Sequence, residues 1–151
     1  HFTDRRQRQM CIRDRVQITS QEKSYDTLNE MKDHIEGLIR KLGLPFRILK
    51  LCGGDLGFTS ALTYDFEVFS VGQKKWLEVS SVSNFETFQA NRLKLRYRSP
   101  VDNKPKLAHT LNGSALALPR ILASLLEFYQ SPEGVKIPDV LVPYTGFEWI
   151  N

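Results

Sequence analysis

The stretch Thr110–Glu127, TLNGSALALPRILASLLE, constrains this chain more than any other. It reads as the end of a strand, a short glycine joint and an apolar helix carrying one cation, Arg120, in its first turns. Ile121, Leu122, Leu125 and Leu126 recur at helical spacing, so most of the helix is expected to face a core. Regular helix is expected from about Leu118, with Pro119 at the first position, where its missing N–H costs nothing. An arginine beside that much leucine is costly unless its planar, always-charged head meets an anion or an aromatic face. The competing reading is a surface arginine whose stem runs past apolar neighbours while its head stays in water. Spacing alone favours the surface reading.

Upstream, Val16–Thr19 is a short strand, and Ser20 or Ser24 can cap the helix that follows. Tyr25, Leu28, Met31, Ile35, Leu38, Ile39 and Leu42 form one apolar stripe at three-four spacing, with His34 beside it as a packing residue. Gly43 ends the helix and Pro45 prevents its return. Phe46–Leu51 alternates as a strand. Cys52–Phe58, CGGDLGF, is a glycine-rich loop, but Thr59-Ser60 lacks the lysine a P-loop requires. Thr63–Phe69 alternates again, with Tyr64, Phe66 and Val68 on one side and Asp65 and Glu67 on the other. Val71-Gly72-Gln73 turns the chain and Trp76–Ser83 returns as the second arm of a hairpin. Glu78, Ser80 and Ser81 then lie on or near one sheet surface. That wall of carboxylates and hydroxyls is either an ordinary solvated face or the lining of a magnesium-nucleotide site, since magnesium favours oxygen ligands.

Asn84–Arg98 begins as a helical turn and ends with Arg92, Lys94, Arg96 and Arg98 alternating with Leu93, Leu95 and Tyr97. Such a run is more often a solvated face than a nucleic-acid strip. Lys106–Asn112 is the strand that delivers the Arg120 helix, with His109 packed or hydrogen-bonded within it. The net charge of +4 does not rescue a nucleic-acid footprint: residues 1–15 carry +3 of it, and basic residues would have to gather on one face of the fold. Those residues, HFTDRRQRQMCIRDR, show neither period and read as a disordered, non-native leader. Met10–Arg15 resembles translated sequencing-adapter sequence, so the native chain is expected to begin near Val16, the alternative being a real basic tail. Cys11 and Cys52 provide neither a disulfide framework nor metal-ligand spacing. No apolar run approaches a membrane span and no signal peptide is visible, so a cytoplasmic setting is expected.

Asn112-Gly113-Ser114 followed by Leu118-Pro119-Arg120 resembles motif 3 of the class II aminoacyl-tRNA synthetases in its seryl form. Leu51–Ala61 followed by Thr63–Val68 resembles that family's run into the catalytic sheet, and Phe88-Gln-Ala-Asn-Arg92 to Arg98 its Phe-Gln-Ala-Arg-Arg…Arg-Tyr-Arg segment, with Asn91 where arginine is usual. The similarity covers about Val16 to Gly146.

The resemblance implies an α+β fold, an antiparallel sheet flanked by helices, with residues 16–151 forming the C-terminal part of the catalytic domain. It implies ATP- and magnesium (Mg2+)-dependent formation of seryl-adenylate and transfer of the seryl group to tRNA(Ser). Carried over position by position, Glu78 and Ser81 would hold magnesium and the ATP phosphates. Asn112 and Ser114 would contact the serine substrate, and Arg120 would stack on adenine and reach the γ-phosphate. Asp14 falls where the family has its serine-binding glutamate, but inside the leader, and receives no assignment. The tRNA-gripping arm, the homodimer interface and the motif 2 arginine would lie upstream, so residues 1–151 alone are expected to be inactive. Two other readings compete: an amino acid:carrier-protein ligase relative, and a non-catalytic binding module that kept the fold.

Overall fold

The computed structural model describes residues 14–151, and its frame is a five-stranded sheet in which every neighbouring pair is antiparallel. In spatial order it runs β1 (Asp14–Thr19), β7 (His109–Ser114), β4 (Lys75–Asn84), β3 (Leu62–Ser70), β2 (Phe46–Lys50). The fold is the expected α+β arrangement. Helix α1 (Ser24–Lys41) lays Leu28, Met31, Ile35 and Ile39 on one sheet face. There they meet Phe66, Val68, Val79, Val82 and Leu111, all at most 1% exposed. Each such side chain contributes roughly 1.5–3 kcal/mol of burial. Helix α3 (Leu118–Phe128) adds Ile121 to the same core. Both long helices therefore cover one face, and the opposite face stays open.

Several local expectations need correction. The α1 cap is Lys23 rather than Ser20 or Ser24; Ser24 is buried in the first turn, with its hydroxyl 2.8 Å from His109 Nδ1. His34 is exposed rather than packed. Pro119 is the second residue of α3, and Leu122 and Leu126 point outward at 58% and 39% exposure. With Leu118 and Leu42, Leu122 borders an apolar groove of about 610 Å³. The single strand expected over 106–112 is two. Pro105–Leu107 (β6) pairs with Arg96–Arg98 (β5), and the chain crosses at Ala108 to join the main sheet as β7. Helix α2 (Thr87–Leu93) fills the connection between β4 and β5.

At the start of the chain, β1 begins two residues before Val16. Asp14 sits opposite Ser114 and Arg15 opposite Gly113 in the β1–β7 register. Both positions fall within the leader expected over 1–15, whose remainder, 1–13, lies outside the described residues.

Candidate active site

The open face acquires its chemistry from one irregularity. Along β3 and β4, Asp65 pairs with Ser81 and Phe66 with Ser80, but Glu67 pairs with Glu78. Val79 is the extra residue of a β-bulge, so Val79 and Ser80 both turn toward the core and are nearly fully buried. Strict alternation would have put Glu78 with Ser80. The bulge instead puts Glu78 with Ser81, three residues apart, on the face already carrying Asp65 and Glu67.

Strand β7 supplies the next row, where Ser83 pairs with Asn112 and Val82 with Gly113. Two bonds extend this pairing. The Ser80 hydroxyl donates to the Ser114 carbonyl, and the Ser81 N–H donates to Ser114 Oγ at 3.1 Å. Gly113 is required here because its missing side chain admits Val82 and Met31. An added Cβ would stand 2.7 Å from Val82 Cγ1 and 2.8 Å from Met31 Cε. Beyond Ser114 the chain leaves the sheet and two β4 carbonyls need new donors. Ala117 N–H takes that of Val79, and the Arg120 guanidinium takes that of Glu78. Arg120 is thereby anchored over the bulge, half-buried, with Asn112, Ser114, Ser81 and Glu78 on the same side.

Electrostatically this patch is short of positive charge. Burial pushes the Glu78 carboxyl above its ordinary value, Asp65 and Glu67 push it further, and Arg120 pulls it back. Asp65 is likewise raised, chiefly by burial, with the Ser81 hydroxyl opposing and Glu67 adding. Glu67 has a cation of its own, Arg47 Nε at 2.6 Å, and that guanidinium also lies 4.6 Å from the centre of the Trp76 ring. Half-buried carboxylates with raised pKa values gain from a cation. Among the described residues no group of three or more His, Cys, Asp or Glu is arranged to hold a metal unaided. The donor set therefore suits an ion that keeps waters and takes further oxygens from a bound phosphate, as magnesium does.

Residues 5–129 match the family model of the tRNA synthetase class II core domain (G, H, P, S and T). The chain belongs to the class II aminoacyl-tRNA synthetases. It is 53% identical over 137 residues to a serine–tRNA ligase of Salinibacter ruber, covering 90% of this chain and 32% of that protein. Its fold superposes on seryl-tRNA synthetase from Pyrococcus horikoshii, solved with ATP, at a TM-score of 0.84 and 37% identity, over 91% of this chain and 32% of that one. The cytoplasmic serine–tRNA ligase of Naegleria fowleri, solved with AMP, gives 0.83 and 31%, over 91% and 29%. The chain spans about a third of the length of the curated relatives it matches.

Within this synthetase core the five residues singled out in the sequence, Glu78, Ser81, Asn112, Ser114 and Arg120, lie on one connected patch spanning β4, β7 and the first turn of α3. Asp65 was visible as a polar position of an alternating strand, but its place against Ser81 and Glu78 was not. No described helix is long and apolar enough to cross a membrane.

Proposed function

We propose that this chain is the part of a serine–tRNA ligase that holds serine and the magnesium-bound phosphates of ATP while seryl-adenylate forms. The observation carrying the reading is the bulge at Val79, which gathers Glu78, Ser81 and Asp65 beneath Arg120 on the one open face. Glu78 and Ser81 supply oxygen ligands, and Arg120 supplies a planar cation suited to a phosphate edge and an adenine face. Bound magnesium would neutralise charge building on the departing pyrophosphate. Asn112 and Ser114 present an amide and a hydroxyl to the amino acid one strand away. Tying Ser114 Oγ to the Ser81 N–H keeps the two half-sites in fixed register, so stabilisation is preorganised rather than assembled during reaction. The match to serine–tRNA ligases favours this reading over a carrier-protein ligase or a non-catalytic module. A cytoplasmic setting, transfer to tRNA(Ser) through an arm on the longer protein, and a homodimeric parent go with the same reading.

The test has two stages. Residues 1–151 should bind ATP weakly in the presence of magnesium, and Arg120→Ala should remove that binding. They should support no serine-dependent pyrophosphate exchange. Each preorganised contact to the α-phosphate or the serine carboxylate that the relatives' other two thirds supply is worth about 3–4 kcal/mol in the barrier. Exchange should appear when the chain is expressed at the full length of its relatives, and should fall with Arg120→Ala. A full-length enzyme indifferent to Arg120→Ala would mean that the site lies elsewhere.

A further inference from the structure

Strand β3 turns two carboxylates to the open face, Asp65 and Glu67, and its neighbours treat them differently. On one side, β4 sets Ser81 opposite Asp65 and Glu78 opposite Glu67. On the other, β2 sets Leu49 opposite Asp65 and Arg47 opposite Glu67. The Glu67 rung thus runs across three strands as cation, carboxylate, carboxylate: Arg47, Glu67, Glu78. Two carboxylates directly opposite one another repel. Strand β2 supplies a cation at the rung where that repulsion arises and an apolar residue at the next.

Arg47 is held on two sides. Its Nε lies 2.6 Å from Glu67 Oε2, and the Glu67 side chain is only 18% exposed. Its guanidinium carbon lies 4.6 Å from the centre of the Trp76 ring, on β4 two residues before Glu78. Trp76 is braced in turn by Phe69, opposite it in the register, at 5.3 Å between centroids and 65° between planes. A free surface ion pair contributes little because two long side chains must be ordered to make it. Here the aromatic face fixes the guanidinium, and the carboxylate is mostly out of water.

We infer that Arg47 is a positioning residue for the metal-bearing patch: it commits Glu67 to an ion pair, so that a divalent cation at Glu78 and Ser81 meets no competing carboxylate on that rung and binds well only together with the ATP phosphates. The inference rests on the function proposed above. Without Arg47 an unpaired carboxylate stands beside Glu78. A free divalent cation then gains a further anionic partner, while a polyphosphate meets one more negative charge. The two ligands must respond in opposite directions, which a loss of packing cannot produce.

The test measures manganese, a paramagnetic stand-in for magnesium, alone by electron paramagnetic resonance, and magnesium-ATP by calorimetry, on the 151-residue chain. A unit charge about 4 Å away changes an affinity about fivefold even at the dielectric of water. Arg47→Met should therefore bind manganese at least about fivefold tighter and magnesium-ATP at least about fivefold more weakly. Arg47→Lys keeps the charge and should match the parent in both. Glu67→Gln should give the mirror image, weaker manganese and tighter magnesium-ATP, and it tests the pair even if Arg47→Met does not fold. Lys50→Met removes an equal charge from β2 opposite Tyr64, on the other face of the strand, and should change neither ligand. Manganese affinity unchanged or weakened in Arg47→Met, or the same shift in Lys50→Met, would overturn the inference. A parent that binds no magnesium-ATP would refute the proposed function instead, and the opposite manganese shifts of Arg47→Met and Glu67→Gln would still support the charge pairing.

Discussion

Replacing Gly113 with alanine tests whether close strand–helix contact sets the geometry of the site. The new Cβ would stand 2.7 Å from Val82 Cγ1 and 2.8 Å from Met31 Cε. Both distances are well inside the ordinary van der Waals separation of carbon atoms, about 3.5–4 Å. Met31 Cε ends a flexible side chain and can swing aside. Val82 cannot, being β-branched, fully buried and directly opposite Gly113 in the register. The overlap must be relieved by moving β7 away from β4. Overpacking of this kind costs roughly 1–3 kcal/mol, and at about 2–4 °C per kcal/mol for a chain of this size the melting temperature should fall by roughly 2–12 °C. Because Asn112 and Ser114 flank Gly113, serine binding in the full-length protein should weaken in the same variant. Thermal melts of Gly113→Ala, Val82→Ala and the double variant give the decisive cycle. The double variant should be more stable than the sum of the singles predicts, by about 1 kcal/mol or more. Strict additivity, or a Gly113→Ala protein as stable as the parent, would show that the contact does not set the geometry.

Glu78→Gln should raise the melting temperature at neutral pH while abolishing magnesium-dependent ATP binding. Its folded pKa is raised by burial and by Asp65, so its contribution to stability falls as pH rises from the ordinary carboxylate range through the raised value. The gain over the parent should vanish in acid, and a gain independent of pH would contradict the assignment. Glu127 is the opposite case. Hydrogen bonds from the Ser70 hydroxyl and Gly72 N–H hold its pKa down, so it stabilises the fold above the ordinary carboxylate value and loses that contribution as pH falls through the depressed one. Glu127→Gln should therefore flatten the acid limb of a melting-temperature profile. Tyr129→Phe removes the hydroxyl that donates to the Leu42 carbonyl at 2.8 Å, just after α1, and should cost about 0.5–1.5 kcal/mol by urea titration.

What was legible in the sequence follows from what a single period can encode. The stripe from Leu28 to Leu42 and the alternation of Tyr64, Phe66 and Val68 both found their core, because each obeys one unbroken repeat. Glu78-Val79-Ser80-Ser81-Val82 does not. Its two valines, three residues apart, were the available sign of a bulge, and alternation alone put Ser80 on the wrong face. Leu122 and Leu126 misled for another reason. Hydrophobicity marks a residue for burial without naming the partner, and α3 buries Ile121 and Ser124 against the sheet instead. The site residues became readable through family resemblance rather than spacing. The contacts that join them, Ser81 to Ser114 and Arg120 to the Glu78 carbonyl, run between segments more than thirty residues apart, where no local pattern reaches.

The same strand thus serves two opposing demands. Val79 and Val82 of β4 are buried against α1 and neighbouring strands, while Glu78 and Ser81 face outward among carboxylates that repel one another. A regular strand could not put both valines on one face and Glu78 and Ser81 on the other, because residues three apart fall on opposite faces. The bulge gives two consecutive residues, Val79 and Ser80, to the core, and lets Glu78 and Ser81 share the open face. Strict alternation with Val79 kept would instead set Glu78 on the same face as Ser80 and Val82, and turn either the carboxylate or the valine to the wrong side. The strand's irregularity is therefore the condition for a stable sheet and an outward-facing patch of carboxylate and hydroxyl side chains to coexist. A site built this way is expected to be less stable empty than filled, which is why the stability gained in Glu78→Gln and the ATP binding lost there should appear together.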